Sequence, residues 1–276
     1  MKCDIWSREF WKYFLAAVGT ISSVVTLISF VFEWTDPGCF WIVLYIGGVI
    51  IASGLFACWQ TWRNTSLELK ISNTLNVTVS EGDIFDYAGN DNYVIIPVNE
   101  YFDTIVNESI INKGTIHGQF IQRYYKDNHS KLHVETEAYF TENKIKGKEV
   151  ARRGSEGYKK KYPLGTCAII KKENTNFVLL ALTHFDEEDH AYVELSEFGR
   201  SISTMCKTLA DKVEDKPIYM PLMGMGMSRL NQTGQFILKY TLDTIVGIKD
   251  LAIQKGINIV VYPPVAKTLN LNEIKY

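Results

Sequence analysis

The residues best suited to chemistry form a glycine-spaced segment, Met223–Ser228, which directly follows the apolar strand pattern Pro217–Leu222. A helical pattern comes next, so the glycines lie between a predicted strand and a predicted helix. Glycines at such a junction let backbone N–H groups converge on an anion, and the helix N-terminus adds the positive end of its dipole. The segment lacks the lysine of a P-loop and the spacing of a dinucleotide fingerprint. It predicts a phosphate-binding loop, with a plain tight turn as the alternative.

Polar and aromatic side chains follow a second apolar strand pattern. They are Asn99, Glu100, Tyr101, Phe102 and Asp103. An asparagine amide can hydrogen-bond ribose hydroxyls, and two aromatic rings can wall an apolar pocket. The cluster predicts a ligand-binding segment, and a loop with surface aromatics is the alternative.

An acidic residue, Asp83, stands at the end of a further strand pattern. A carboxylate there either accepts from an exocyclic amine or simply closes a turn.

Strand and helix patterns alternate along the segment that carries these residues. Apolar runs predict strands at Leu67–Ile71, Leu75–Val79, Tyr93–Val98, Thr166–Ile170, Phe177–Leu182, Pro217–Leu222 and Asn258–Tyr262. Helical spacing predicts one helix at Ile116–Tyr125, a second with the stripe Leu195, Phe198, Ile202, Met205 and Leu209, and a third with the stripe Ile237, Tyr240, Thr244, Ile248 and Leu251. Residues 128–162 show little periodicity and are predicted to be a polar connection.

The second half of this order reads strand-helix-strand-helix-strand, which is typical of an α/β fold with a parallel core and helices on both sides. In open sheets of this kind, ligands bind beyond the carboxyl ends of the strands. That rule selects two segments, the one after Val98 and the one after Leu222.

Two long uncharged stretches, Tyr13–Phe32 and Phe40–Trp62, precede this domain. A helix needs about 20 apolar residues to cross a bilayer core, and both stretches are long enough. The linker between them contains a Pro-Gly pair suited to a tight turn. The sequence therefore predicts a transmembrane helical hairpin over residues 1–63 and a second domain over residues 64–276. A cleaved signal peptide and a buried soluble hairpin are the alternatives.

Charge and small residues add detail to the hairpin. Basic residues lie before the first stretch and after the second, and none lies between them: Lys2, Arg8, Lys12, Arg63 and Lys70. The positive-inside rule therefore predicts a multi-pass membrane protein with both termini in the cytoplasm. Small residues share a face within each stretch: Ala16, Gly19, Ser23 and Thr26, then Gly48 and Ala52. Such faces serve either packing within the hairpin or self-association into a homo-oligomer.

The composition argues against a nucleic-acid partner, a disulfide framework and a metal site. The formal net charge is −2, so there is no broad basic field and nucleic acid is not expected as a partner. The five cysteines are scattered and predict neither a disulfide framework nor a metal site. His184 and His190 flank an acidic run without firm metal-ligand spacing, so no metal is expected.

Three segments in this order carry a resemblance to a known family. Gly82-Asp83-Ile84, then Val98-Asn99, then the glycine loop at 222–228 look like the ADP-ribose-binding elements of macro domains. The resemblance covers most of residues 68–265 and implies a three-layer α/β/α sandwich with a mixed, largely parallel sheet. Together with the two N-terminal stretches, the chain most resembles the membrane-anchored macro-domain effectors of bacterial Thoeris anti-phage defence.

The resemblance implies roles for particular residues. Asp83 would hold the adenine amine, Ile84 would lie under the base, and Asn99 would face the distal ribose. Residues from Gly114 to Gly118 would form one wall of the phosphate channel. The loop wrapped around the diphosphate would be Leu222, Met223, Gly224, Met225, Gly226, Met227 and Ser228. Glu100, Tyr101, Phe102 and Asp103 complete the expected ligand-binding set.

The chain departs from the family at three places, one of which is the diphosphate loop, where the family's usual Ser-Thr-Gly-x-x-Gly is replaced. Hydrolytic macro domains show Asn-Ala-Ala-Asn followed by a glycine triplet, whereas here Asn99 is followed by Glu-Tyr-Phe and the segment Asn112–Thr115 has a single glycine. The departures bear on catalysis more than on binding, because a backbone cradle for phosphate needs glycines rather than particular side chains.

The family also implies partners. A TIR-domain protein would convert NAD into an ADP-ribose-containing signal, reported as histidine-linked ADP-ribose, and the effector would bind it and injure the host membrane. The chain is accordingly expected to be a ligand-binding effector without a cofactor rather than an enzyme. The alternatives are a membrane-held ADP-ribosyl hydrolase that uses Asn99 and Glu100 to orient or activate water, and a receptor that only recruits partners to the membrane.

Overall fold

A computed structural model describes residues 8–31, 39–60, 66–107, 109–126, 128–151, 156–186, 188, 190–226 and 229–274. Two compact units make up this part of the chain. The first contains the described residues up to 60 together with residues 270–274, and the second contains Ser66–Leu269.

The first unit is built on two long helices, α1 (Arg8–Val31) and α2 (Cys39–Gln60). Both are long and apolar enough to cross a membrane, judged by length and composition alone. Where the two helices pack, the buried residues are Phe10, Ala17, Val49, Ser53 and Ala57. The small residues Ala16, Gly19, Ser23, Thr26, Gly48 and Ala52 remain exposed. Contact within the hairpin therefore uses other faces than the small-residue faces found in the sequence.

One expectation about cysteine is wrong in this unit. Cys58 of α2 is disulfide-bonded, although the scattered spacing of the cysteines predicts no bridge. Cys167 and Cys206 of the second unit are free thiols, and both are buried.

The second unit alternates strands and helices. Its strands are β1 (Ser66–Ser72), β2 (Leu75–Glu81), β3 (Tyr93–Asn99), β4 (Lys148–Glu149), β5 (Lys160–Lys161), β6 (Cys167–Lys172), β7 (Thr175–Phe185), β8 (Ala191–Tyr192), β9 (Ile218–Pro221) and β10 (Ile253–Val261). Its α-helices are α3 (Ile116–Tyr124), α4 (His129–Glu142), α5 (Leu195–Ala210), α6 (Gly234–Val246) and α7 (Pro263–Ala266). A 3₁₀ turn at Ile84–Tyr87 follows β2, and a second at Leu271–Glu273 belongs to the first unit.

The main sheet has the order β1-β2-β10-β9-β3-β7-β6, and β8 pairs with β7. The five inner strands from β2 to β7 run parallel. The strands β1, β6 and β8 are antiparallel to their neighbours. The strands β7, β9 and β10 are joined through α5 and α6, as the alternating pattern predicts.

Helices cover both faces of the sheet. Along β3, Val94, Ile96 and Val98 belong to the core cluster that also contains residues of α3 and α4. The intervening Ile95 is fully buried but lies outside that cluster, as period-2 alternation requires. The buried stripe Phe198, Ile202, Met205 and Leu209 of α5 closes the opposite face. The architecture is a three-layer α/β/α sandwich with a mixed, largely parallel sheet, which confirms the expected fold class.

Two predicted elements are wrong. Helix α4 occupies the segment expected to be a polar connection; it buries only Leu132, Thr136 and Phe140, so its apolar stripe is narrow and has a threonine at its centre. Helix α6 ends at Val246, and Ile248 and Leu251 lie beyond it. The α6 face that packs inward is Gly234, Ile237, Leu238, Thr241, Leu242 and Ile245.

Candidate functional site

A cavity of about 510 Å³ lies at the carboxyl edge of the parallel strands. That volume is within the range of small-molecule sites. Its lining comes from the ends of β3, β7 and β9, from the start of α3 and from β8: Pro97, Val98, Asn99, Ile110, Ile111, Asn112, Gly114, Thr115, Ile116, His117, Leu182, Thr183, Phe185, Ala191, Leu222, Met223, Gly224, Met225 and Gly226. No carboxylate, lysine or arginine is among these described lining residues.

The loop after β9 forms one wall. The Leu222 N–H donates to the Val260 carbonyl at 2.9 Å, which fixes the start of the loop against β10. Within the described part of the chain, the N–H groups of the next four residues, Met223 to Gly226, have no acceptor. Gly224 has a φ of +89°, a conformation that L-residues rarely adopt. The loop thus carries amide donors without a hydrogen-bond partner beside the cavity, and such donors are what an anion site needs.

The start of α3 forms the facing wall. The Asn112 side chain accepts from the Gly114 N–H at 2.8 Å, and the Thr115 hydroxyl accepts from the Gly118 N–H at 3.0 Å. A Cβ on Gly118 would stand 2.3 Å from the Asn112 carbonyl oxygen, so only glycine permits this close approach. Among described residues, the N–H groups of Ile116 and His117 have no acceptor, because they belong to the first turn of the helix.

His117 lies within the predicted wall from Gly114 to Gly118, but sequence reasoning assigned no role to its side chain. It is 6% exposed, and its ring has no hydrogen-bond partner among the described residues. Burial lowers the pKa of His117 to about 3, so the imidazole is uncharged near neutral pH. Its position in the first turn of α3, after the N-cap Thr115, is the local signal that places its side chain beside the cavity.

Asn99 lines the cavity, but most of its side chain is engaged within its own loop. Its Oδ1 accepts from the N–H groups of Tyr101 at 3.0 Å and Asp103 at 3.4 Å, and its Nδ2 donates to Asp103 Oδ2 at 3.1 Å. Asp103 Oδ1 in turn accepts from the Tyr158 N–H at 2.7 Å. The segment after β3 is therefore held in place by its own polar groups.

The next four residues do not line the cavity. Glu100 and Asp103 are completely buried, and Tyr101 and Phe102 are 8% and 3% exposed. The Phe102 ring packs edge-on against Phe140 at 4.9 Å between centroids.

Glu100 is the centre of an ionic network. Its Oε2 lies 2.5 Å from His184 Nδ1 and 2.9 Å from Lys161 Nζ, and its Oε1 accepts from the Phe185 N–H at 3.3 Å. The other His184 nitrogen lies 3.1 Å from Glu197 Oε1. The hydrogen bond to Glu100 raises the pKa of His184, and the hydrogen bond to His184 lowers the pKa of Glu197.

The residues expected at the adenine also lie outside the lining. Asp83 Oδ1 accepts from the Phe85 N–H at 3.0 Å and so caps the 3₁₀ turn after β2, and Asp83 Oδ2 lies 3.7 Å from Arg123. The Arg123 guanidinium stands 4.1 Å from the centroid of the Phe85 ring. Ile84 is buried in the core cluster.

The cavity brings together some of the expected ligand-binding residues and leaves out others. Those that line it are Asn99, Gly114, Leu222, Met223, Gly224, Met225 and Gly226. Those that do not are Asp83, Ile84, Glu100, Tyr101, Phe102, Asp103 and Gly118. Met227 and Ser228 lie outside the described residues.

A cluster of possible metal ligands occurs in the turn between β7 and β8. The ligand atoms of Asp186, Glu188 and His190 lie within 4.8 Å of one another. The Asp186 carboxylate already accepts from the N–H groups of Glu188 at 3.1 Å and His190 at 2.7 Å, and Arg229 lies 3.7 Å away. These contacts hold the turn together and explain why the three side chains lie close to one another.

Comparison with known proteins gives one family match and one close relative. The family model described as "Thoeris protein ThsA, Macro domain" matches residues 77–262. The Thoeris protein ThsA of Bacillus amyloliquefaciens (strain Y2) is 31% identical over 227 residues, which are 80% of this chain and 72% of that protein.

Similar solved structures include two from Oceanobacillus iheyensis. A macrodomain variant with ADPR has a TM-score of 0.48 and 11% identity, over 73% of this chain and 93% of that chain. The macrodomain with ADP has a TM-score of 0.46 and 13% identity, over 73% of this chain and 91% of that chain.

Proposed function

This chain belongs to the family of the Thoeris protein ThsA macro domain, and from that premise we propose that it is an anti-phage defence effector. Its macro domain binds an ADP-ribose-derived signal, with histidine-linked ADP-ribose as one candidate, which a TIR-domain partner makes. The N-terminal helices then disrupt the host membrane. Macro domains as a class bind ADP-ribose derivatives, and the family places the chain in Thoeris defence.

The observation that carries the binding proposal is the pair of facing walls with unpaired N–H groups. The loop Met223–Gly226 supplies four, and the first turn of α3 supplies two. A diphosphate between the walls receives charge-assisted hydrogen bonds and the positive end of the α3 dipole. Because the described lining contains no lysine or arginine, the amides are the donors available for its charge.

The remaining ligand contacts extend from this diphosphate. Asn99 faces the distal ribose, and Asp83 with Ile84 serves the adenine beyond the present lining. Asp83 is 42% exposed at its side chain and remains accessible to an amine.

Binding rather than turnover is the function that this lining favours. General acid–base chemistry needs a titratable group within hydrogen-bond reach of the reacting atoms. Glu100, the base of the hydrolase alternative, is buried away from the lining and paired with Lys161 and His184. Incubation of the protein with ADP-ribosylated substrate should leave that substrate unchanged, and release of ADP-ribose would establish a hydrolase.

The membrane part of the proposal depends on α1 and α2. Both helices cross the inner membrane, with the N- and C-termini in the cytoplasm, where the nucleotide signal is made. The exposed small residues of both helices are open to a second copy of the chain, so signal binding acts through a homo-oligomer.

Calorimetry on the full chain in detergent micelles tests the binding proposal. ADP-ribose should bind at one site per chain, whereas adenosine, which lacks phosphate, should bind far more weakly because the amides then have no anion to contact. Absence of ADP-ribose binding would overturn the proposal. If adenosine bound as tightly as ADP-ribose, the two walls would not act as a phosphate-binding site.

A further inference from the structure

The strand β1 forms one edge of the main sheet, and its outer side is open. It pairs with β2 on its inner side and is the last strand in the order of the sheet. Among the described residues, no backbone group outside β2 makes a hydrogen bond to the backbone of β1. An edge strand of this kind presents unpaired N–H and C=O groups to which another strand can add.

The apolar side chains of β1 are covered less well than those of β2. Leu67 and Leu69 stand opposite Val79 and Val77, so all four point to the same face of the sheet. The two valines are fully buried, whereas Leu67, Leu69 and Ile71 are only half-buried. The edge therefore has apolar surface that a further strand would cover.

The two charged side chains of β1 have no opposite charge beside them in their own sheet. Glu68 and Lys70 are exposed, and the residues opposite them in β2 are the uncharged Thr78 and Asn76. Among the described residues, neither has an ion-pair partner. Charges on an edge strand discourage pairing with most other strands, so a suitable partner must place an opposite charge beside each of them.

A second copy of β1 meets this requirement. The strand, Ser-Leu-Glu-Leu-Lys-Ile-Ser, reads in both directions as polar, apolar, charged, apolar, charged, apolar, polar, with Leu69 at its centre. When two copies run antiparallel about a two-fold axis at Leu69, Glu68 of each copy faces the partner's Lys70. Leu67 then faces the partner's Ile71.

Charge selects this register over its neighbours. A two-fold axis at Glu68 or at Lys70 would place two like charges directly opposite each other, which is unfavourable. The axis at Leu69 also gives the longest overlap, because Leu69 is the middle residue of the strand. The irregular pairing of β1 with β2 begins only after Lys70, beyond the two charged residues.

We propose that the chain forms a symmetric dimer in which two β1 strands pair antiparallel with Leu69 at the two-fold axis, so that the two main sheets become one. The inference does not depend on the ligand of the proposed function, and it names a contact between copies besides the small-residue faces of α1 and α2. Because only residues 61–65 separate α2 from β1, the pairing also limits the distance between the hairpins of the two copies.

Disulfide cross-linking of the full chain in detergent micelles tests the register. Opposite Cα atoms of an antiparallel pair lie about 4.5–5.5 Å apart, which is within the range of a disulfide. Leu69→Cys should therefore form a covalent dimer on mild oxidation, and mass spectrometry should find residue 69 of one copy joined to residue 69 of the other.

The matched control is Leu67→Cys, the same change on the same face of the strand. Its counterpart in the second copy lies four residues further along, roughly 13 Å away, so it should form no more dimer than the unsubstituted chain.

Charge variants without the added cysteine test the proposed pairs by sedimentation equilibrium in detergent. Glu68→Lys should raise the dimer dissociation constant about tenfold, because two like-charge pairs replace two opposite-charge pairs. The exchange of Glu68→Lys together with Lys70→Glu restores both opposite-charge pairs, and should return the constant to within about threefold of the unsubstituted chain.

A yield of Leu69→Cys dimer no higher than that of the unsubstituted chain, or an equal yield from Leu67→Cys, would overturn the inference. A dissociation constant that Glu68→Lys leaves unchanged, or that the charge exchange fails to restore, would do so as well. Unfolding midpoints identify a variant that has failed to fold; if Leu69→Cys is such a variant, the charge variants decide alone. No nucleotide is present in these experiments, so their outcome is independent of whether ADP-ribose binds.

Discussion

At the level of single residues, the contacts of Glu100 hold the end of β3 in place beside the cavity. Its carboxylate is completely buried and contacts Lys161, His184 and the Phe185 N–H. A buried charge is tolerated only when partners replace its lost hydration. The partners come from β5 and β7, so the network ties three strands together behind the cavity wall.

This network predicts a pH-dependent stability. The raised pKa of His184 means that its stabilising effect is fully present below its ordinary pKa, about 6.5, and is lost as pH rises through the higher folded-state value. His184→Gln should therefore lower the unfolding midpoint most near pH 6, by roughly 4–8 °C for a loss of about 2 kcal/mol, and progressively less toward pH 9. Thermal unfolding of both proteins in detergent at several pH values measures this.

The matched control is His129→Gln, because His129 is exposed at the start of α4. It should leave the midpoint unchanged across the same range. A His184→Gln defect that is constant with pH, or that grows toward pH 9, contradicts the assignment of a protonated His184 to the network.

Sequence reasoning found the polar residues after β3 but not their role. The residue types were correct for a ligand site, yet Glu100 pairs with residues 61 and 84 positions further along the chain. Such pairings depend on how the strands are arranged in the sheet, and neither periodicity nor spacing encodes that arrangement. The burial of the His117 side chain was not predicted for the same reason, because it arises only when α3 packs on the sheet.

At the level of elements, the loop between β9 and α6 contains two glycines with different requirements. Gly224 has a left-handed φ of +89°, and a Cβ there would stand 2.9 Å from Leu230 Cδ1. Gly226 has no such φ, and a Cβ there would meet nothing within 4 Å. Conformation therefore fixes glycine at the first position, whereas open space beside the cavity surrounds the second.

Two alanine substitutions separate these requirements. Gly224→Ala should destabilise the protein by about 2 kcal/mol and weaken ADP-ribose binding, because the amides of the loop move. Gly226→Ala, the same change two residues away, should stay within about 0.5 kcal/mol of the unsubstituted chain. Unfolding midpoints and calorimetry give both quantities.

A larger side chain at the second position tests the cavity itself. Gly226→Leu should retain the unfolding midpoint but weaken ADP-ribose binding by tenfold or more, on the order of 1.4 kcal/mol, because the side chain takes space from the ligand. Normal ADP-ribose affinity in Gly226→Leu would place the ligand elsewhere.

The elements themselves were predictable where the apolar pattern was wide. The strands of the parallel core and the stripe of α5 stand out because each buries several large side chains at regular spacing. Helix α4 does not stand out in the sequence, because most of its length faces solvent. Its N-cap, Asn128, is the main local signal for it. The predicted helix extended beyond the end of α6, because apolar residues after that end keep the helical spacing although they lie outside the helix.

At the level of the whole molecule, a ligand-binding α/β unit and a helical hairpin are joined in one chain. A ligand changes the state of such a protein only if one arrangement binds it more tightly than another. The family establishes the defence context, whereas the proposal that the chain crosses a membrane rests on the length and apolar composition of α1 and α2. Their exposed apolar side chains, such as Leu27 at 68% and Ile51 at 66%, are what a bilayer would cover.

A charge introduced into α2 tests membrane action separately from signal binding. Ile51 lies within the apolar part of α2, Ile42–Gln60, and a lysine near the bilayer centre costs about 2.5–3.5 kcal/mol on insertion scales. In cells that also express an NAD-consuming TIR-domain partner, infection should admit a membrane-impermeant dye with the unsubstituted chain and with Ile51→Leu. Ile51→Lys should abolish dye entry but leave ADP-ribose affinity in detergent unchanged. Dye entry that persists with Ile51→Lys would mean that the hairpin does not act by crossing the bilayer.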